Sequence, residues 1–393
     1  MRSFGKRNRG RYDIQRSNNQ VAISTVAIAV IVIVIIILAA GAAYFFSTLS
    51  SSSSSSTSST STSTSSSSSS SASSTVSGTG SPLILYSADA YVNESTLLAS
   101  AFTNATGIQV APPKSAGSLA LAQQIAQGNP VSVFISVSKT AVQNTTLKNQ
   151  SSGWAVSFAT DQMGIGYSNA TKQNSAAVAV LNSYNTAIST NSSNAWFDFY
   201  SNLTSGQVKV GISNPNSDPA GYRAWIVLEA AGKIYANNTN YFVNRMISNG
   251  GNVTGASAAD LVAPLQTGNI QFLFVYKSYI TSLKLNLIQL PSGVNLGTPS
   301  YGTFYSQFNY TITSGVQKGG AIVLWITVPK DSTNFNDSVQ FVVFVIQNYK
   351  TVLNGYGLVY ISPPKLYNDT TADVPASLNT LVREGSLAYA GPL

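Results

Sequence analysis

Hydrophobic and polar positions divide the chain into three regions of different character. Residues 21–46 are almost wholly apolar and contain no charged side chain. A helix of that length crosses about 30 Å of hydrocarbon and exceeds the roughly 7–15 apolar residues of a cleaved signal, so we predict a transmembrane helix or a retained signal helix. Residues 47–81 are mainly Ser and Thr without an apolar period, which predicts a disordered Ser/Thr-rich linker.

From residue 83 onward, apolar runs that are typical of strands alternate with patterns that are typical of helices. Strands are predicted at 83–86, 108–110, 131–135, 208–212, 270–275, 285–290 and 321–328. Helices are predicted at 94–102, 119–126, 222–235, 261–266 and 339–352. This alternation predicts an α/β fold with largely parallel sheets. In such sheets ligands bind at the carboxyl ends of strands, beside the free amides of helix N-termini.

The formal net charge of +8 is concentrated before the apolar segment. Residues 1–20 hold six basic side chains and one acidic side chain, whereas the rest of the chain holds 15 basic and 12 acidic ones. Because basic residues flank a membrane helix on its cytoplasmic side, we predict a cytoplasmic head at 1–20, a single-pass anchor in the cell membrane and an extracellular C-terminal domain. Twelve Asn-x-Ser/Thr sequons beyond residue 82 are typical of a glycosylated exterior. No basic face is visible beyond the head, which argues against binding of nucleic acid.

The absence of two residue types narrows the chemistry. The chain has no cysteine and no histidine, which excludes disulfides, thiolate metal sites, Ser-His hydrolases and zinc enzymes built on imidazole. An enzyme would have to work with carboxylates, Lys or Tyr alone. We therefore predict that the protein is not an enzyme and that it has neither a cofactor nor a resident metal.

The first candidate binding segment is the turn before the predicted helix at 119–126. Gly117 permits close backbone approach, and Ser118 stands where an N-cap residue would. The next amides carry partial positive charge, so this turn can hold an anion without a cationic side chain. An ordinary capped helix explains the same residues.

The second candidate segment opens the predicted helix at 222–235. Asp218 as N-cap and Pro219 at the first helical position form a strong helix-start signal. The functional interpretation places the amides of Ala220 and Gly221 at a ligand. A bare carboxylate repels an oxyanion, which leaves two roles open for Asp218: it coordinates the metal atom of the anion, or it is a cap turned away. A third candidate is Tyr276, which ends a predicted strand and either donates its hydroxyl to a ligand or packs at the edge of a lobe.

These segments, in this order, resemble the molybdate/tungstate-binding proteins of ABC importers, in particular their archaeal-type branch. The resemblance runs from about residue 83 to the C-terminus and rests on LILYSADA, AGSLALAQQI, VFISVS, FATDQMGIGY, WFDFYSN, SNPNSDPAGYR, FVYKS, IQLPSGVNLGTPSYGTFY and ITVPK. It implies a two-lobed type II periplasmic-binding-protein fold that holds an oxyanion in its cleft by neutral donors. Lobe 1 is expected to comprise 83–158 and 279–393, and lobe 2 is expected to comprise 159–278.

The resemblance also implies roles for individual residues. Ser118 matches a serine whose hydroxyl and amide contact the anion, and Ala220 matches a residue that contributes its amide. Tyr276 matches a tyrosine that donates its hydroxyl. Asp218 matches a carboxylate that completes an expanded coordination shell around the metal atom of the anion.

Two positions depart from the pattern of that family. Ala90 lacks the hydroxyl that is expected there, although its amide remains, and the neighbouring Asp89 adds a negative charge. Val275 stands where the archaeal-type branch tends to have an acidic residue. Six-coordinate binding then lacks one carboxylate, which leaves tetrahedral coordination, or a different anion, as alternatives.

The sequence thus predicts a monomeric extracellular solute-binding protein that captures a tetrahedral oxyanion, molybdate or tungstate first, for an ABC permease and its ATPase. One alternative keeps the fold and binds sulfate, phosphate or an organic anion. Another alternative is a glycosylated surface protein without a role in transport, for which the anchor, the linker and the sequons suffice.

Overall fold

The computed structural model describes residues 80–393, which belong to one compact unit. The predicted cytoplasmic head, the predicted membrane helix and nearly all of the predicted linker, residues 1–79, lie outside the described residues and stay predictions. No helix within 80–393 has both the length and the apolar character that a membrane crossing requires.

Two β-sheets and a hairpin organise the described part of the chain. In chain order its strands are β1 (Leu85–Ala88), β2 (Lys114–Ala116), β3 (Val133–Ser136), β4 (Trp154–Asp161), β5 (Met163–Tyr167), β6 (Val210–Gly211), β7 (Asn252–Val253), β8 (Phe272–Tyr276), β9 (Asn286–Gln289), β10 (Asn309–Ile312), β11 (Gly315–Lys318), β12 (Ile322–Thr327), β13 (Val359–Asn368) and β14 (Ala388–Tyr389). Its α-helices are α1 (Val92–Thr106), α2 (Ser118–Ala126), α3 (Lys139–Val142), α4 (Asn144–Leu147), α5 (Ser175–Thr190), α6 (Ser193–Leu203), α7 (Pro219–Tyr235), α8 (Tyr241–Ser248), α9 (Val262–Thr267), α10 (Lys277–Ser282), α11 (Gly302–Tyr305), α12 (Phe335–Val352) and α13 (Ala376–Arg383). Short 3-10 helices lie at Asp89–Tyr91, Lys148–Gln150, Ala170–Gln173, Ala259–Leu261 and Pro299–Tyr301.

The strand order shows two mixed sheets rather than largely parallel ones. The larger sheet has the spatial order β14-β13-β4-β12-β3-β1-β2, and the smaller has the order β7-β6-β8-β5-β9. The pairs of β1 with β2 and β3, and of β6 with β7 and β8, are parallel as βα units require. Every pair in these sheets that includes β4, β5 or β12 is antiparallel. The prediction of largely parallel sheets is therefore wrong, because the strands next to the crossings between the sheets run against their neighbours.

Each sheet is the centre of one lobe, which we call the first lobe (larger sheet) and the second lobe (smaller sheet). The chain leaves the first lobe at Gln162, directly after β4, and enters β5. It returns only after β9, which pairs with β5. The sheets therefore place 159–161 in the first lobe and 286–289 in the second lobe. The sequence-based prediction instead assigns 159–161 to lobe 2 and 286–289 to lobe 1. The difference arises because the β5–β9 pairing extends the second lobe beyond residue 278.

Local signals explain several ends of elements and one miss. Helix α1 ends at Gly107, whose φ of 78° is left-handed and suits glycine. Helix α7 begins at Pro219 behind its N-cap Asp218, as predicted. The predicted strand at 108–110 is wrong, because Val110 forms only an isolated bridge with Leu83 and the sheet edge is instead completed by β2.

The carboxyl ends of the strands supply the side chains that lie between the lobes. Strands β1, β3, β4 and β8 are buried along their whole length, which fixes the positions at which they end. Asp89 follows β1 and Val137 follows β3, while Asp161 and Tyr276 are the last residues of β4 and β8. Residues far apart in the sequence thereby meet at one place.

Candidate functional site

The two predicted binding turns come from different lobes and touch each other. The amides of Leu119 and Ala120, at the start of α2, each donate to the carbonyl of Ser217 at 3.2 Å. A Cβ at Gly117 would overlap that carbonyl oxygen and would lie 2.8 Å from the Cα of Asp218. Only glycine allows this approach. The close backbone approach that was predicted at Gly117 is therefore a contact between the two lobes.

Ser118 lies at the centre of this contact and is fully buried. Its hydroxyl oxygen accepts a hydrogen bond from the amide of Val137 at 3.1 Å. That bond uses a lone pair and leaves the hydroxyl proton free for another acceptor. Ser118 thus keeps a proton that it can donate, and its contact with an anion stays a prediction.

Arg223 connects the two lobes and was not predicted as a site residue. Its guanidinium donates to the Val137 carbonyl in the first lobe and to the Tyr276 hydroxyl in the second, both at 2.7 Å. The rings of Tyr222 and Tyr276 flank it, with centroids 5.4 and 5.6 Å from its Cζ. Burial disfavours the charge, but the electrostatic effects of Tyr222 and Tyr276 outweigh it and raise the pKa of Arg223, so the side chain stays cationic.

A signal for Arg223 was present in the sequence. It is the only charged residue in the first ten positions of α7, and its neighbours there are apolar or small. A lone arginine on a buried helical segment requires an acceptor or an anion. The segment SNPNSDPAGYR already contained it.

Asp218 acts as the N-cap of α7. One carboxylate oxygen accepts from the Ala220 amide at 3.0 Å, and the other accepts from the Ala258 amide at 2.9 Å. Of the two roles left open, the structure shows the cap. Burial, followed by the charge of Asp89, raises the pKa of Asp218 from 3.8 to about 7.

The amides of Ala220 and Gly221 are engaged within the second lobe. Ala220 donates to the Asp218 side chain, and Gly221 donates to the Asp218 carbonyl at 3.0 Å. The prediction that both amides face a ligand is wrong for this conformation, because the N-cap residue already satisfies them. Gly221 has a packing role, since a Cβ there would overlap the carbonyl oxygen of Ser213.

Ala90 lies in the short helical turn after β1, where its neighbour Asp89 makes the polar contact. The Asp89 carboxylate reaches the second lobe and accepts from the Ala259 amide at 3.1 Å. Asp89 of the first lobe thus accepts from the Ala259 amide, and Asp218 of the second lobe accepts from the neighbouring Ala258 amide. Burial raises the pKa of Asp89, as it does that of Asp218.

A second buried carboxylate, that of Asp161, lies where the chain first passes from the first lobe to the second, between β4 and β5. Asp161 accepts from the Tyr91 hydroxyl at 3.0 Å, from the Ser278 hydroxyl at 2.5 Å and from the Gln162 amide at 2.7 Å. Burial raises the pKa of Asp161 to about 6. The Tyr91 ring also stacks on Tyr276, with ring centroids 5.4 Å apart.

Glu94, in the first turn of α1, is buried in a different way. Neither of its carboxylate oxygens has a hydrogen-bond partner among the described residues. Burial, with a contribution from the charge of Asp161, raises the pKa of Glu94 from 4.5 to about 8. The side chain is therefore largely protonated at neutral pH.

The site combines hydroxyl donors, one buried cation and carboxylates that bind amides. Ser118 has a free hydroxyl proton, and the buried Ser213 hydroxyl has no partner within 80–393. Tyr276 accepts from Arg223, which leaves its own proton available. Acidic side chains in that part of the chain form no group of three or more arranged to hold a metal ion. Such an arrangement suits recognition of a small anion.

All seven predicted site residues occupy this one region, although with unequal roles. Gly117 and Ser118 meet the turn of Asp218 across the lobes, and Tyr276 joins them through Arg223. Val275, the second departure from the family pattern, is a fully buried residue of β8.

Comparison with known proteins agrees with the predicted resemblance. Residues 83–358 match the bacterial extracellular solute-binding protein family. An uncharacterized solute-binding protein of Sulfurisphaera tokodaii is 37% identical over 320 residues, covering 80% of this chain and 84% of that protein. One from Saccharolobus solfataricus is 38% identical over 318 residues, covering 79% and 78%.

A relative with a named ligand is more distant. A molybdate/tungstate-binding protein of Thermococcus kodakarensis is 28% identical over 215 residues, which cover 49% of this chain and 60% of that protein. The resemblance to molybdate/tungstate-binding proteins is thereby confirmed, and the family match spans well over half of the chain. The chain belongs to the bacterial extracellular solute-binding protein family.

Proposed function

We propose that this solute-binding protein captures a tetrahedral oxyanion, molybdate or tungstate first, in the cleft where α2 meets the turn before α7. The observation that carries the proposal is the start of α2. Its amides have no side-chain cap, and they donate to a carbonyl of the opposite lobe. When the lobes separate, these amides lose that acceptor. An anion that enters between the two turns accepts from them instead through a stronger, charge-assisted bond, and the lobes then close on the anion.

Neutral donors around this point support an anion that keeps its tetrahedral geometry. The hydroxyls of Ser118, Ser213 and Tyr276 retain protons to donate. Both carboxylate oxygens of Asp218 accept hydrogen bonds from amides, so neither faces a ligand atom. Val275 has no carboxylate that could act as a second ligand group. The distant relative named as a molybdate/tungstate-binding protein supports the same ligand class.

The test is calorimetric titration of the full chain, purified in a neutral detergent, with molybdate and with tungstate. Ser118→Ala removes one donor to a charged ligand, which is worth about 1.5–3 kcal/mol, so affinity should fall by about 10- to 100-fold. The variant also deprives the Val137 amide of its acceptor. Ser136→Ala is the matched control, because the Ser136 hydroxyl accepts from the Ser138 amide in the same way at 3.0 Å.

The two variants separate binding from folding. If Ser136→Ala weakens binding as much as Ser118→Ala does, Ser118 acts through stability and not through the ligand. Absence of heat with molybdate, tungstate, sulfate and phosphate would overturn the proposal of a tetrahedral oxyanion.

We also propose that the protein is a monomer tethered by residues 21–46, with the cleft outside the cell, and that it delivers its ligand to an ABC permease and its ATPase. The basic head, the apolar segment and the Ser/Thr linker support this arrangement. A protease added to intact cells should release a C-terminal tag and spare an N-terminal one. Protection of the C-terminal tag would contradict the proposed orientation.

A further inference from the structure

A cavity of about 380 Å³ is lined in part by Arg223, whereas Tyr276 and Val137 are not among its lining residues. Residues of both lobes and of the β10–β11 hairpin line it. Cavities of roughly 300–1,000 Å³ bind small organic molecules, and a single tetrahedral oxyanion fills only a small part of such a volume. The space is therefore suited to a larger ligand than the one proposed for the cleft.

The charges around this cavity are all of one sign. Lys139, Arg223 and Lys318 are among its lining residues, and no acidic residue is among them. The Nζ of Lys139 lies 5.1 Å from the ring centroid of Tyr367 and donates to the Pro392 carbonyl at 3.4 Å. Lys318 is exposed and Lys139 is partly exposed, so Arg223 is the one lining cation that is shielded from solvent. Together the three charges make this surface electropositive and attract anions.

Arg223 is the strongest indication of an anion. Its side chain is 8% exposed, and its two hydrogen bonds go to a tyrosine hydroxyl and a backbone carbonyl, which are both neutral. These bonds use two of the five donors of a guanidinium. A buried cation whose protein partners are neutral is stabilised when an anion supplies the opposite charge.

The remaining lining is largely aromatic and aliphatic, with polar side chains from Ser138, Thr140 and Gln317. Tyr222, Trp325 and Ile226 line the same space. The Tyr222 ring also lies against the Arg223 guanidinium, so a ligand anion and an apolar body would find their partners side by side. The lining therefore fits a molecule that carries one anionic group on a compact apolar frame.

We infer that this cavity is a second binding site, which takes a small organic anion, with its carboxylate or phosphate on Arg223 and Lys318 and its apolar body against Tyr222 and Trp325. The site is distinct from the oxyanion cleft and shares only Arg223 with it. The hairpin that carries Lys318 also reaches the turn before α7, since the Thr313 amide donates to the Asn216 side chain at 2.8 Å. An occupant would thus contact both lobes and favour the closed form.

The experiment titrates the full chain in detergent with phenyl phosphate and with benzoate, with phenol as the uncharged probe. Each titration is done with and without saturating molybdate. The double variant Lys139→Gln/Lys318→Gln should weaken binding of the anionic probes by about tenfold or more. Lys172→Gln is the matched control, because Lys172 is an exposed lysine of the second lobe outside the cavity lining.

Saturable binding of either anionic probe that persists under molybdate, is lost in the double variant and is kept in the control supports the second site. The stronger probe tells whether phosphate or carboxylate is preferred. The inference is overturned if neither anionic probe binds, if the double variant binds them unchanged, if phenol binds equally well, or if molybdate displaces the probe. Molybdate affinity is measured in the same samples, so a failure of the proposed oxyanion site is seen separately.

Discussion

Helices α2 and α7 start at the same place between the lobes but satisfy their first amides in different ways. Helix α7 has Asp218 as N-cap, which accepts from the amide of Ala220 within its own lobe. Helix α2 has no side-chain cap, and its amides of Leu119 and Ala120 depend on the Ser217 carbonyl of the other lobe. The first amides of α7 therefore have an acceptor within their own lobe, whereas those of α2 have an acceptor only when the two lobes meet.

This difference assigns separate tasks to two turns that look alike in the sequence. Unsatisfied amides at a helix N-terminus are stabilised by an anion or by another acceptor. The start of α2 is therefore the side that senses both lobe closure and ligand. The start of α7 supplies the acceptor for closure, the buried Arg223 and a carboxylate whose charge opposes an anion.

The largest expected effect comes from filling the gap between the two helix starts. Gly117→Ala places a Cβ on the Ser217 carbonyl, so the lobes cannot close without a shift of backbone. We expect molybdate affinity to fall by about 100-fold, equivalent to about 2.7 kcal/mol, as measured by calorimetry. Gly302→Ala is the control, because a Cβ at Gly302 meets no atom within 4 Å and its φ of −54° is helical. Equal affinities for both variants would mean that the closed contact at α2 does not matter for binding.

A third helix start, that of α1, contains the buried carboxylate of Glu94, which has no hydrogen-bond partner among the described residues. Glu94 has a pKa of about 8 in the folded protein against 4.5 ordinarily, so its stabilising contribution is complete below about pH 4.5 and is lost as the pH rises through about 8. Glu94→Gln removes this loss and should raise the free energy of unfolding at pH 8, with no gain near pH 4.5. Thermal unfolding at both pH values measures it.

The control for Glu94 is Glu384→Gln, which changes an exposed carboxylate near the end of α13. It should leave the melting temperature nearly unchanged at both pH values. A Glu94→Gln variant that is less stable than the native protein at pH 8 would show that the Glu94 carboxylate has a partner when ionised.

A smaller effect tests the cap of α7 itself. Burial and Asp89 raise the pKa of Asp218 to about 7, so below that pH the group is neutral and above it the charge repels an anion. We expect molybdate affinity to decrease as the pH rises above about 7, by at most about tenfold per pH unit. Asp218→Asn keeps a good N-cap and should flatten this dependence, whereas the exposed Asp198→Asn should not. A pH profile that is the same in all three proteins would separate Asp218 from the ligand.

Much of the local structure was predictable because its signals are local. The helix start at Pro219 and the end of α1 at Gly107 follow from proline, glycine and capping preferences within a few residues. The prediction of Ser118 as an N-cap is wrong, because Gly117 is the N-cap of α2 and Ser118 is its first helical residue. The boundary between the lobes was not predictable in the same way. Gln162 and the pairing of β9 with β5 depend on which strands meet, and a short apolar run does not specify its partner strand.

The candidate site divides along the same line. The sequence by itself determined the two turns, the absence of imidazole and thiolate chemistry, and the family resemblance, because these depend on residue type and spacing. Only the tertiary structure decided that the amides at the start of α2 donate to Ser217 across the cleft, and that Asp89 and Arg223 reach the opposite lobe. The reason is physical: a hydrogen bond between lobes depends on a distance across the cleft, and that distance is set by two sheets packing together rather than by any one segment of the chain.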